Sequence, residues 1–143
     1  MTLTSRDGPK GRRAALAACA CAAAAQTVLL AGPESYAGES YRWAAREPIE
    51  AELALAPGVP HTLYLRWGAK GDVRAGIVSV NGHAAAVRHG GYDGFDEIAL
   101  DVPGEWVSAA RTVVRIEHAP GAGPAPFVSA VRAERLDARK EPA

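Results

Sequence analysis

The sequence predicts an all-β fold: an antiparallel β-sandwich or jelly roll of about eight strands, preceded by an N-terminal signal segment. Three observations carry this reading. Apolar and polar residues alternate in short runs, as in strands with one wet face. Turn signals built on Gly, Pro, Asn and Asp separate the runs at spacings of roughly 8 to 14 residues. Beyond residue 37 no segment keeps a helical apolar spacing over a useful length. At 143 residues and 48% hydrophobic, the chain is long enough to bury a single core without cross-links.

The first segment reads as an export signal. Arg6, Lys10, Arg12 and Arg13 face a single acid, Asp7, and the run from Ala14 to Gly32 is apolar apart from Gln26 and Thr27. A basic start, an apolar middle and a small-residue exit are the parts of a secretory leader. Ser35-Tyr36-Ala37 supplies small residues at −3 and −1, which places cleavage after Ala37, within several residues. Residues 1–37 are therefore the signal or anchor and 38–143 the β-sandwich domain. Three variants stay open: a lipobox at Leu16-Ala17-Ala18-Cys19, a twin-arginine signal at Arg12-Arg13, and an uncleaved anchor. Each implies a secreted, periplasmic or cell-surface protein, touching membrane only through its N-terminus.

This division changes what the totals mean. The whole chain balances 16 basic against 16 acidic residues. Removing Arg6, Lys10, Arg12, Arg13, Asp7 and Glu34 leaves 12 basic and 14 acidic residues in the remaining 106. This balance argues against a nucleic-acid protein held by a basic surface. Both cysteines, Cys19 and Cys21, fall in the leader, so the domain must hold together by its core.

The strands follow in order. Tyr41–Ala44 gives a short first strand. Ile49, Ala51, Leu53 and Leu55 alternate with Glu50, Glu52 and Ala54 until Pro57–Pro60 breaks the run. Leu63, Leu65 and Trp67 share one face of His61–Trp67, opposite Thr62, Tyr64 and Arg66. Gly68–Asp72 reads as a turn, and Val73–Val80 as the next strand. Asn81-Gly82 is a strong hairpin signal because both residues accept the positive φ of a type I′ turn. Ala84–Arg88 returns from it. His89-Gly90-Gly91-Tyr92-Asp93-Gly94 reads as a long Gly-rich loop. Phe95–Val102 resumes the alternation, and Pro103–Val107 is a turn or one helical turn. Thr112–Glu117 and Phe127–Leu136 are the last strands, flanking the Pro- and Gly-rich loop 119–126. The charged tail beyond Leu136 is expected to fray.

Several of these runs resemble the galactose-binding-like jelly rolls attached to bacterial glycosidases and polysaccharide lyases. The matching residues are Leu63-Tyr64-Leu65-Arg66-Trp67-Gly68 through Asp72, then Val78-Ser79-Val80-Asn81-Gly82. Phe95 to Pro103 matches the aromatic-led strand that closes in a proline. Trp106 stands as the hydrophobic plug and Val114-Arg115-Ile116 as the strand after it, with Arg111 where the family often has Asn. The similarity spans about residues 48 to 137. It implies a carbohydrate-binding-like accessory module, and structural calcium, for which Asp72, Asp93 and Asp101 are the candidate ligands.

The residues name no reaction. HExxH, a phosphate-binding glycine loop and G-x-S-x-G are all absent from the sequence. Asp96 and Glu97 are adjacent, so on a strand they face opposite ways and do not make a glycosidase pair. His61, His83, His89 and His118 have no repeating ligand spacing. A sugar site needs an aromatic face and planar polar groups. Tyr92 with Asp93, beside His89, supplies them on the Gly-rich loop; Arg66 and Tyr64 supply them on one strand face. Trp67 and Trp106 read as core, while Trp43 reads either as an edge cover or as an exposed platform. The expected protein is an exported, non-catalytic carbohydrate-binding-like module with glycan contacts on loops at one end of the sandwich. It needs no cofactor beyond the candidate calcium. The alternatives are a cell-surface structural or protein-interaction sandwich without a sugar ligand, whose partner is another surface protein, and a small exported hydrolase.

Overall fold

The computed structural model describes residues 25–119, 121 and 123–136. Cys19, the Arg12-Arg13 pair and the charged tail beyond Leu136 lie outside the described residues. Among the described residues ten strands form two antiparallel sheets packed face to face. They are β1 (Ala25–Leu29), β2 (Glu34–Tyr36), β3 (Glu39–Trp43), β4 (Ile49–Ala54) and β5 (His61–Lys70). The rest are β6 (Val73–Val80), β7 (His83–Gly90), β8 (Asp93–Val102), β9 (Arg111–His118) and β10 (Phe127–Arg135). Among the described residues a single 3-10 turn, Gly104–Trp106, interrupts the β pattern.

The larger sheet runs β2-β3-β10-β5-β8, and the smaller runs β4-β9-β6-β7. One edge of β10 pairs with β5. Its other edge is shared: β3 takes Phe127 and Val128, and β1 takes the stretch from Ala130 to Glu134. The period-2 patterns become the core. Leu63, Leu65 and Trp67 of β5 and Val128, Val131 and Ala133 of β10 face Ile49, Ala51 and Leu53 of β4. Val78, Val80, Val114 and Ile116 complete that layer, and Trp67 and Leu65 are fully buried.

The sheets are more extensive than the sequence suggests. Residues 25–36, counted above with the leader, supply two strands, and the boundary after Ala37 falls at the β2–β3 turn, where Tyr36 pairs with Glu39. Gly68–Asp72 is not a five-residue turn: β5 continues to Lys70, paired with Asp93. The loop from His89 to Gly94 likewise shrinks to Gly91 and Tyr92, since β7 runs to Gly90 and β8 starts at Asp93. The glycines serve packing there. A Cβ at Gly68 would sit 2.1 Å from the Phe127 ring, and one at Gly90 would sit 2.1 Å from the Asp72 carbonyl oxygen.

Close approach at Gly68 makes room for a second, smaller apolar layer outside the larger sheet. The β2–β3 hairpin reaches across that outer face, and its tip meets the start of β8. Tyr41 and Tyr36 stand 4.8 Å and 6.0 Å from Phe127, ring to ring, and Phe95 stands 5.4 Å away. The Tyr36 hydroxyl donates to Asp93, and the Ala37 Cβ lies 3.7 Å from the position a Cβ would take at Gly94.

Candidate functional site

The outer-face layer fixes the geometry of the groove at Trp43. Tyr41 and Trp43 alternate with Arg42 on β3, so they share a face. Tyr41 is held down on Phe127, while Trp43, one pleat further on, is 55% exposed. Gly32 lets the segment before β2 lie directly on β3, because a Cβ there would come within 2.1 Å of the Tyr41 carbonyl oxygen. Between that segment, β3 and the start of β4 runs a groove of about 440 Å³, walled by Trp43 and Tyr41 and floored by Pro33, Pro48 and Ile49. Its size is that of small-ligand clefts in general.

Polar groups of both signs line this groove. The Tyr41 hydroxyl donates to Glu34 Oε1 at 2.7 Å, and that bond holds the phenol proton, pushing the Tyr41 pKa above its usual value. Arg42, which also lines the groove, donates from Nε to the Ala31 carbonyl at 3.2 Å. Glu47 presents a carboxylate without an ion-pair partner among the described residues. A separate pocket of about 150 Å³, bounded by Lys70 and Arg74, shares Glu34, Tyr41 and Trp43 with the groove. An exposed indole face flanked by carboxylates and a guanidinium is the chemistry that grips a sugar ring and its hydroxyls.

The other predicted site residues fall elsewhere. Arg66 forms a forked ion pair with Glu39, with nitrogen–oxygen distances of 2.9 Å and 2.6 Å, and Ser129 Oγ donates to the same carboxylate at 2.7 Å. Arg66 and Ser129 hold the Glu39 carboxyl below its usual pKa. This group lines a second groove of about 440 Å³ that meets the first at Ala31. Tyr64 lies under the Arg132 guanidinium, 3.9 Å from the ring centroid, on the same outer face.

Tyr92 and His89 come together as expected, with rings 5.3 Å apart. Tyr92, however, donates its hydroxyl to the Trp67 carbonyl at 2.6 Å, and burial, with the charge of Asp96 added, pushes its pKa up to about 12. His89 Nε2 donates to Asp96 Oδ2 at 2.9 Å, which lowers the Asp96 pKa. Asp93 turns to Tyr36 instead of toward Tyr92.

The three calcium candidates do not assemble into a site. Asp72 is ion-paired with Arg74 and accepts the Lys70 amide, Arg74 first among the causes that lower its pKa. Asp93 accepts from Tyr36, and Asp101 sits at the far end of β8 opposite Thr62. Among the described residues no three His, Cys, Asp or Glu side chains are grouped to hold a metal ion. Two acids beside Lys70 and Arg74 are a poor fit to a cation that prefers six to eight oxygens.

Trp43 is among the residues the sequence singles out, but its partners in the groove are not. Glu34 was assigned to the leader, and Glu47 follows β3 in a segment without alternation. The available signal was the Tyr41-Arg42-Trp43 triplet, whose period puts two aromatics on one face.

No protein-family model matches the chain, and no curated protein matches it. Solved structures do. A family 35 carbohydrate binding module from Clostridium thermocellum superposes with a TM-score of 0.56 at 16% identity, covering 76% of this chain and 90% of that one. The CBM36-1 domain of a multidomain xylanase from the hindgut metagenome of Trinervitermes trinervoides gives 0.55 at 10% identity, covering 76% and 95%. A Podospora anserina GH26-CBM35 β-(1,4)-mannanase gives 0.54 at 16% identity, with 87% of this chain matching 27% of the enzyme. The chain is thus structurally similar to carbohydrate-binding modules of families 35 and 36 and shares their β-sandwich fold.

Proposed function

We propose that this protein is an exported, non-catalytic glycan-binding module whose sugar lies in the groove at Trp43. The observation that carries the proposal is the exposed indole of Trp43 in a cleft also lined by Glu34, Arg42 and Glu47. The fold supports it: the family 35 and 36 modules that superpose on most of this chain are themselves carbohydrate-binding modules. The groove takes the place of the loop around Tyr92 because the Tyr92 hydroxyl is already bonded to the Trp67 carbonyl. Stacking on the indole buries the apolar face of a sugar ring, and Glu34 and Glu47 accept from its hydroxyls while Arg42 donates.

Affinity electrophoresis through gels containing plant and bacterial polysaccharides tests this reading. The wild-type chain is expected to be retarded by at least one of them without releasing reducing ends. Trp43→Ala is expected to weaken that retention at least tenfold, roughly 1.4 kcal/mol, with little change in melting temperature because the side chain is half in solvent. Unchanged retention by Trp43→Ala would overturn the placement. Failure to bind any glycan, with a protein partner captured in stoichiometric amount regardless of added sugar, would favour the cell-surface interaction sandwich.

A further inference from the structure

We infer that maturation cuts the chain at the start of β1, at the Ala24–Ala25 bond or one residue in at the Ala25–Gln26 bond, and not in the β2–β3 turn. The inference rests on the export reading and is independent of glycan binding.

Its basis is what residues 25–37 do in the fold. β1 pairs with β10 from Ala25 opposite Glu134 to Leu29 opposite Ala130, and so closes the edge that β3 leaves open. Gln26 Oε1 accepts the Ala54 amide of β4 at 2.6 Å, tying the two sheets together at that corner. Val28 packs against the core, and Leu30 lies within it, 4% exposed, with its amide donating to the Ser129 carbonyl at 2.9 Å. Downstream, Tyr36 bonds Asp93 and Tyr41 bonds Glu34. A cut after Ala37 would strip two strands, open the Ala130–Glu134 edge of β10 to water, and delete Glu34 from the groove. An unpaired strand edge beside exposed apolar side chains is a hazard for an exported domain.

The sequence just upstream supplies a suitable bond. With β1 assigned to the domain, the apolar run shortens to Ala14–Ala24, preceded directly by Arg12-Arg13. That length lies within the range of about 7 to 15 residues typical of a signal's apolar core. Ala22 and Ala24 place small residues at −3 and −1 for the first bond, and Ala23 and Ala25 do so for the second. The step is an ordinary hydrolysis by a leader peptidase. Water adds across the amide, the C–N bond breaks, a carboxylate remains on the leader and an amine on the mature chain. Both cysteines leave with the leader, so the mature protein carries no thiol.

The test is expression of the full chain in a Gram-negative host, followed by intact mass and N-terminal sequencing of the periplasmic protein. The expected N-terminus is Ala25 or Gln26, with no titratable thiol. A protein beginning at Gly38, or at a lipid-modified Cys19, would overturn the site while leaving export intact. A full-length chain kept in the cytoplasm would overturn export and the inference with it. A second variant, Ala24→Phe with Ala25→Phe, is expected to accumulate uncut, since Ala25 is exposed in the folded domain and tolerates the larger ring. Cutting of that variant at the wild-type bond and yield would also contradict the inference.

Discussion

At Tyr92 the folded protein holds a phenolic proton that an unfolded chain gives up near pH 10, because burial pushes the folded pKa to about 12. The stabilisation is complete below pH 10 and is lost as pH rises from 10 through 12. Tyr92→Phe is expected to cost about 1 kcal/mol at pH 7, the value of its bond to the Trp67 carbonyl. It should lose less stability than wild type between pH 10 and 12, as urea titrations at several pH values would show. Glu39 behaves in the opposite sense. Its carboxyl is held below the ordinary 4.5, first by Arg66, so its contribution is present above pH 4.5 and is lost as pH falls through the depressed value. Glu39→Gln should cost about 1 kcal/mol at neutral pH, since the ion pair is partly screened by solvent. Its stability should fall less steeply than that of wild type as pH drops below 4.5, as urea titrations at several acid pH values would show. Both residues show why single side chains were hard to interpret from the sequence. Arg66 is a ligand candidate in the sequence, but its ion-pair partner Glu39 is 27 positions away, and Ser129, which donates to the same carboxylate, is 90 positions from Glu39.

At the scale of the element, the Asn81-Gly82 hairpin was legible and yet understated. Asn81 and Gly82 adopt the positive φ values of 50° and 89° that the type I′ turn requires. Asn81 also works across the sheet: its Nδ2 donates to the Trp106 carbonyl and its Oδ1 accepts the Val113 amide, each at 3.0 Å. Asn81→Gly keeps the turn and removes both bonds. It is expected to cost about 2 kcal/mol in chemical denaturation, whereas loss of turn propensity alone would cost nothing. Strands with strict alternation, such as Ile49–Ala54 and His61–Trp67, could be read because one face is buried and the other wet. β1 could not, because Val28 and Leu29 fall in an apolar run that, interrupted only at Gln26 and Thr27, merges with the leader. The short turns at Gly71 and Gly91 were overestimated for a related reason: glycine marks close packing as well as reversal, and only contacts such as Gly68 against Phe127 separate the two.

For the whole molecule, two layers, the core between the sheets and one aromatic layer outside it, decide the functional reading. The core between the sheets sets the jelly roll, which period-2 patterning predicted. The aromatic layer of Tyr36, Tyr41, Phe95 and Phe127 lies on the opposite side of the larger sheet. By seating the β2–β3 hairpin it opens the groove where Trp43 stands exposed. That layer was not legible in the sequence, because its members come from four strands and each looks like an ordinary core or surface aromatic by itself. The most direct measurement of the central claim is a two-dimensional NMR titration of the mature chain with the oligosaccharide of a polysaccharide that retards it. Shifts concentrated on the Trp43 indole and on the amides of Glu34, Arg42 and Glu47, with Tyr92 and His89 unmoved, are predicted. Shifts centred on His89, Tyr92 and Asp93, with the Trp43 indole unmoved, would contradict it.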